Sequence, residues 1–175
     1  TKTAMGSRTL KNMIENPLIN KEEINKRYDT IEILLKEFIK KEELCNYLYE
    51  VYDLERLSGK IAFGSANARD LLQLKNSLKV LPYIKQILTD INFYKNIEEL
   101  NDLYELLENS IYENPPVSIK EGYIIKEGYS KELDELKDLR KGGKDFVARF
   151  EEEEKERTGI KNLKVGFNRV FGYYI

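Results

Sequence analysis

From Ser130 to Arg157 the chain runs through Lys, Asp, Glu and Arg, with large apolar residues only at Leu133, Leu136, Leu139, Phe146, Val147 and Phe150. Their spacing is helical but the stripe is narrow. A helix this long and this polar cannot be buried all round; it must project, with one seam against a partner. Ser130 is its expected N-cap. Gly142-Gly143 falls in its middle, at a cost of about 1 kcal/mol per glycine relative to alanine, and marks a candidate hinge. After Thr158-Gly159 the apolar period switches to two at Leu163, Val165 and Phe167, and Phe171 to Ile175 continues as a second strand of β-formers. A strand that stops with the chain is read as a truncation.

Upstream the pattern is helical throughout. A first helix is expected from Ala4 to Ile14, ahead of Pro17. Asn20 and Glu23 have capping-box spacing, flanked by Ile19 and Ile24 as a hydrophobic staple. Ile24, Tyr28, Ile31, Leu34, Leu35 and Phe38 then mark one apolar face. A third helix from Glu42 to Leu57 should bury Leu44, Leu48, Val51 and Leu54, with Cys45 as a small core residue beside them. Ser58 to Gly64 reads as a connector. Asn67 caps the next helix, with Asp70 at its positive end, and Pro82 is expected to open a further short one. Ile97 to Leu107 forms another. Residues 117–128, with Gly122 and Gly128 around Tyr123-Ile124-Ile125, read as a small hairpin or extended segment. The fold class is therefore mainly α: a multi-helix core over 1–129, a long projecting helix over 130–157, and a short C-terminal β segment over 158–175.

Composition narrows the chemistry. The 175 residues contain no histidine and one cysteine. A triad base, an imidazole zinc ligand and a thiolate cluster are thereby excluded, and neither a catalytic nor a metal-binding residue is assigned. No Gly-x-x-x-x-Gly-Lys-Ser/Thr is present to cradle a nucleotide. A lone Cys45 fits a reducing compartment, no apolar run reaches the roughly 20 residues that span a bilayer, and the start lacks the apolar stretch of a signal peptide. It also lacks an initiating Met, so the chain is expected to begin inside a longer one.

Charge is unevenly placed. Residues 155–175 hold Lys155, Arg157, Lys161, Lys164 and Arg169 against Glu156, a net 5 − 1 = +4, and the remainder carries −2 − 4 = −6. A basic tip can approach a polyanion while the acidic body stays away. Lys164, Asn168 and Arg169 are the residues suited to phosphate, although an ordinary polar turn is the simpler reading on composition alone. Glu151 to Glu154 point around a helix and read as a solvated face. Arg69-Asp70 and Asp53-Glu55-Arg56 suggest buried ion pairs at helix junctions. Of the 12 tyrosines, Tyr28, Tyr47, Tyr49, Tyr52 and Tyr104 fall on or next to apolar faces and read as core.

Four stretches together resemble the MutS family of DNA mismatch-repair proteins. Thr3-Ala4-Met5-Gly6-Ser7-Arg8-Thr9-Leu10 with Asn16-Pro17-Leu18 is similar to the opening of the family's core domain. Asp53-Leu54-Glu55-Arg56-Leu57 and Ala66-Asn67-Ala68-Arg69-Asp70-Leu71 resemble its central helices. Gly128 to Leu136 resembles the start of its lever helix, and Arg157 to Ile175 the start of its clamp domain. The resemblance implies homodimers that encircle duplex DNA, detect mispairs and use ATP and magnesium, in the bacterial cytoplasm at the nucleoid. It also implies that the mismatch-reading domain with its Phe-x-Glu wedge precedes this stretch, and that the ATPase domain and returning lever helix follow it. Phe150-Glu151-Glu152 matches the wedge by letter only, because it lies in the charged helix. On this resemblance the chain transmits conformational change between ATPase and clamp, holds no cofactor itself, and makes sequence-blind DNA contact through Lys164, Asn168 and Arg169. The competing expectations are a helical interaction module whose long helix forms a coiled coil without DNA, and, less favoured, a carboxylate–magnesium nuclease.

Overall fold

The computed structural model describes residues 1–91, 93 and 96–175, with the side chains of Lys141 and Lys144 excepted. It is mainly helical, with one small two-stranded sheet. The elements are α1 (Ala4–Glu15), α2 (Lys21–Lys36), α3 (Phe38–Tyr49), α4 (Leu54–Ala62), α5 (Ala68–Asp90), α6 (Asn101–Ser110), a 3₁₀ turn (Ile119–Glu121), α7 (Lys131–Thr158), β1 (Gly166–Asn168) and β2 (Gly172–Tyr174). They divide into two compact units, Thr1–Lys126 and Glu127–Ile175.

In the first unit, α5 is the spine. Its Val80, Ile84, Ile87 and Leu88 join Leu44 and Ile91 in one buried cluster, against which Leu34, Leu48, Val51 and Ile97 pack. Ala68 and Leu78 join Leu107 and Ile111 in a second, flanked by Leu103, Tyr104 and Ile124. Asn67 accepts from the Asp70 amide while Asp70 accepts from the Asn67 amide, a complete capping box. The helix continues through Pro82 instead of restarting there, as the sequence suggested. A proline inside a helix costs about 3 kcal/mol, but the buried residues on both sides of it serve the two clusters only if the helix stays whole.

The expected helix from Glu42 to Leu57 is in fact two. Residues 50–53 leave the helix, the Tyr52 amide donates to Ser77 Oγ at 2.9 Å, and Asp53 caps α4 by accepting from the Arg56 amide. The supposed connector from Ser58 is therefore largely helical, to Ala62. Phe38 opens α3 instead of closing α2, after a break at Glu37. This bend lets Leu34 of α2 and Leu44 of α3 meet the same cluster. Likewise α6 starts at Asn101 and not at Ile97: Leu100 takes a left-handed conformation (φ 52°), so Ile97 packs on the first cluster and Leu103 beside the second.

Residues 117–128 form no hairpin of their own. After the 3₁₀ turn, Ile125 bridges Ile111, with the Tyr112 amide donating to Ile124 O and the Lys126 amide to Ser110 O. Ile19 is 96% exposed, so it is no staple, although Asn20 does cap α2. Tyr47 and Tyr104 pack against the clusters, whereas Tyr28, Tyr49 and Tyr52 are exposed. Cys45 is half-buried.

Polar braces join distant segments, with partners other than those the sequence suggested. Buried Lys75 meets Glu108 at 2.7 Å, and Asp70 meets Lys60 at 2.6 Å. Arg69 donates to the Pro115 carbonyl. Exposed Arg8 of α1 clasps both Asp53 oxygens at 2.7 and 2.8 Å and also pairs with Glu55. Its guanidinium, aided by the Arg56 amide, holds the Asp53 carboxyl down at about 2. Because that value lies below the usual carboxylate range, the clasp stabilises fully above roughly pH 4 and is lost as pH falls through about 2. Arg8→Gln should return the Asp53 titration toward about 3.9, read by carboxyl NMR; a midpoint still near 2 would assign the shift to another group.

Candidate nucleic-acid interface

The second unit brings α7 and the hairpin together. α7 spans 28 residues, roughly 42 Å at 1.5 Å per residue, and none of its described side chains is buried. Ser130 Oγ accepts from the Leu133 amide at its start, and Gly159, at φ 70°, ends it. Leu136, Leu139 and Phe146 stand exposed along the expected seam. The helix is unbroken at Gly142-Gly143, and a Cβ at either position would meet nothing within 4 Å. Close packing is thus not what these glycines provide in this structure. Gly142→Ala with Gly143→Ala should raise helicity and add about 1 kcal/mol per site, measured by circular dichroism and denaturant unfolding; lower stability would contradict this account.

The hairpin pairs antiparallel, with Gly166 opposite Tyr174, Phe167 opposite Tyr173 and Asn168 opposite Gly172. Phe167 and Tyr173 meet edge to face, centroids 5.1 Å apart. The Tyr174 ring lies over Gly166, where a Cβ would come within 2.6 Å of its far end, so a larger residue there would make that exposed ring swing aside. Gly172 (φ 77°) closes the turn, and Asn168 Oδ1 accepts from the Val170 amide at 2.8 Å. Among the described residues the Asn168 side-chain amide has no partner, which leaves its donors turned to other uses.

Lys164, Asn168 and Arg169 are all exposed, but they do not form one cluster. Asn168 and Arg169 share the turn, whereas Lys164 precedes the strand, roughly 13 Å away at 3.3 Å per residue. Lys164 lies near enough to Glu151 to favour its ionised form. Such a line of donors suits an extended run of phosphates better than a single one.

Glu151 is the residue the sequence reading passed over. Its Oε1 takes Lys155 Nζ at 2.5 Å and its Oε2 accepts from the Val165 amide at 3.0 Å, so α7 holds the base of the hairpin through one carboxylate. Lys155 and then the Val165 amide push that carboxyl below its ordinary value. Glu154 is engaged too, by Arg157 at 2.7 Å. Neither acid is the solvated face expected of it, although Glu152 and Glu153 are exposed. The Glu-to-Lys spacing of four was a readable signal; the reach to Val165 was not. Lys155 and Arg157 are thus locally neutralised, and the net +4 reduces to Lys161, Lys164 and Arg169 on a stretch, 159–175, that has no carboxylate. In Glu151→Ala the Val165 amide and the hairpin amides should exchange with solvent faster while α7 keeps its protection; unchanged exchange would show the hairpin to be held otherwise.

A helical bundle built on one central helix, followed by a long polar helix tied to a basic hairpin, is the class of domain that these features define. The family description MutS domain III matches residues 1–163. The chain is 52% identical to the DNA mismatch repair protein MutS of Bacillus subtilis over all of its own length and 21% of that protein. It is 48% identical to the MutS of Staphylococcus haemolyticus (100% of the chain, 20% of that protein) and 49% identical to that of Clostridium tetani (99% and 20%). The chain belongs to the MutS family, and it spans about a fifth of the length of the curated relatives it matches.

Proposed function

We propose that this chain is the mechanical part of a DNA mismatch-repair protein: a helical core and lever that pass conformational change to a clamp, whose hairpin touches duplex DNA through its backbone. The reading rests on the family match over 1–163 together with a stretch, 159–175, that ends in the hairpin and carries Lys161, Lys164 and Arg169 with no Asp or Glu. Lys164 and Arg169 neutralise phosphate, and Asn168 donates to it from the turn. The open seam of α7 supports a partner helix, supplied in this reading by the remainder of a homodimeric, cytoplasmic MutS. ATP and magnesium act elsewhere in that protein, and this stretch contributes no catalytic group.

Backbone contact is blind to sequence and falls steeply with salt, because each neutralised phosphate releases counterions. The 175-residue chain should therefore bind duplex DNA weakly at low salt, with Kd on the order of 10⁻⁴ to 10⁻⁶ M. It should show no preference for mismatched over matched DNA, and no response to ATP with magnesium. Replacing Lys164 and Arg169 by Ala should weaken binding equally for both duplexes and flatten the log–log salt slope by up to about 2, read by fluorescence anisotropy. A double variant that binds as the parent does would place the contact elsewhere.

A further inference from the structure

Between α3 and α5, floored by Ile87 of the first cluster, lies an open groove of about 460 Å³ lined by Glu43, Tyr47, Glu50, Tyr83, Gln86 and Asp90 among others. Tyr47 and Tyr83 stack in it, centroids 5.1 Å apart and rings inclined by 6°. Tyr47 is anchored against the first cluster, and Tyr83 is 53% exposed, so the pair presents an aromatic surface on a fixed base. Glu43 on α3 and Glu50, the residue that caps its C-terminal end, both line the groove, and among the described residues neither has an ion-pair partner. Asp90, opposite them, accepts from Gln86 at 3.2 Å and has Lys40 at 3.8 Å.

We propose that this groove docks an arginine-bearing segment of a protein partner. A guanidinium is planar and weakly hydrated; it stacks on an aromatic face while its edge donates two parallel hydrogen bonds to a carboxylate. The groove supplies both surfaces side by side. A lysine ammonium would satisfy the charge but not the stack, and a nucleic acid would meet carboxylates with phosphate. Each exposed ion pair is worth little alone, so recognition comes from the aromatic face and the acids together. This use is independent of the hairpin and of the DNA-binding proposal.

The test is anisotropy of the 175-residue chain with fluorescent arginine–glycine and lysine–glycine repeat peptides of equal length. The arginine peptide should bind at least about fivefold more tightly. Combining Glu43→Gln with Glu50→Gln should weaken it about tenfold, and Tyr83→Leu should bring it down to the lysine peptide's level, with helicity checked by circular dichroism. If Tyr83→Leu unfolds the chain, the ring shifts of Tyr47 and Tyr83 in the NMR spectrum of the parent, titrated with peptide, replace it. Equal binding of the two peptides, full binding by the Glu43→Gln/Glu50→Gln variant, or ring shifts unmoved by peptide would each overturn the proposal.

Discussion

Ser77 has no exposed surface, and its hydroxyl works in both directions: it donates to Gln73 O at 2.8 Å and accepts from the Tyr52 amide at 2.9 Å. The Tyr52 amide has no helical acceptor once the chain leaves the helix at residues 50–53, and this contact, of the kind worth about 0.5–1.5 kcal/mol net, supplies one. That exit frees Asp53 to cap α4 and to take Arg8. It also sets the start of α4, which delivers Lys60 to Asp70 beneath the capping box of α5. One hydroxyl on the spine is thus tied to the gap between α3 and α4 and, through Asp53 beside it, to the start of α4 and the anchoring of α1.

Much of this was legible in the residues and some was not, for definable reasons. The capping signals at Asn67 and Ser130 and the switch to period two after Gly159 are local chemistry, and the structure has caps and strands there. Breaks governed by distant partners were not visible. Nothing around Tyr52 announces a helix end, because its acceptor is 25 positions away. Pro82 announces one falsely, because burial on either side outweighs its local cost. Tyr28, Tyr49 and Ile19 have the right period or flank for a core and yet are exposed: periodicity identifies a face, not what covers it.

The hairpin shows the same division. Its two strands follow from alternation, whereas the resting of the Tyr174 ring on Gly166 is a cross-strand relation that only the register reveals. Counting charge along the chain overstated the basic tip, because a count has no knowledge of pairing. Glu151 and Glu154 cancel Lys155 and Arg157 within the helix, and what survives is the charge that no carboxylate in its own stretch can answer.

That remainder has a physical consequence for how such a domain can meet DNA. With three cations and no Asp or Glu in 159–175, a net attraction to a polyanion belongs to that stretch, and at 0.15 M salt it decays over about 8 Å. The first unit, 1–126, sums to −2 and the second, 127–175, to zero, so neither unit as a whole offers a competing attraction. In the proposed reading, orientation on a duplex would therefore be set by a few residues beyond the C-terminal end of α7, and not by the bulk of the chain. Any rearrangement that tilts α7 carries the base of the hairpin with it, because Glu151 joins Val165 to the helix directly. On the proposed reading that carboxylate would serve mechanics instead of chemistry, because its two oxygens tie Lys155 within the helix and the Val165 amide at the base of the hairpin.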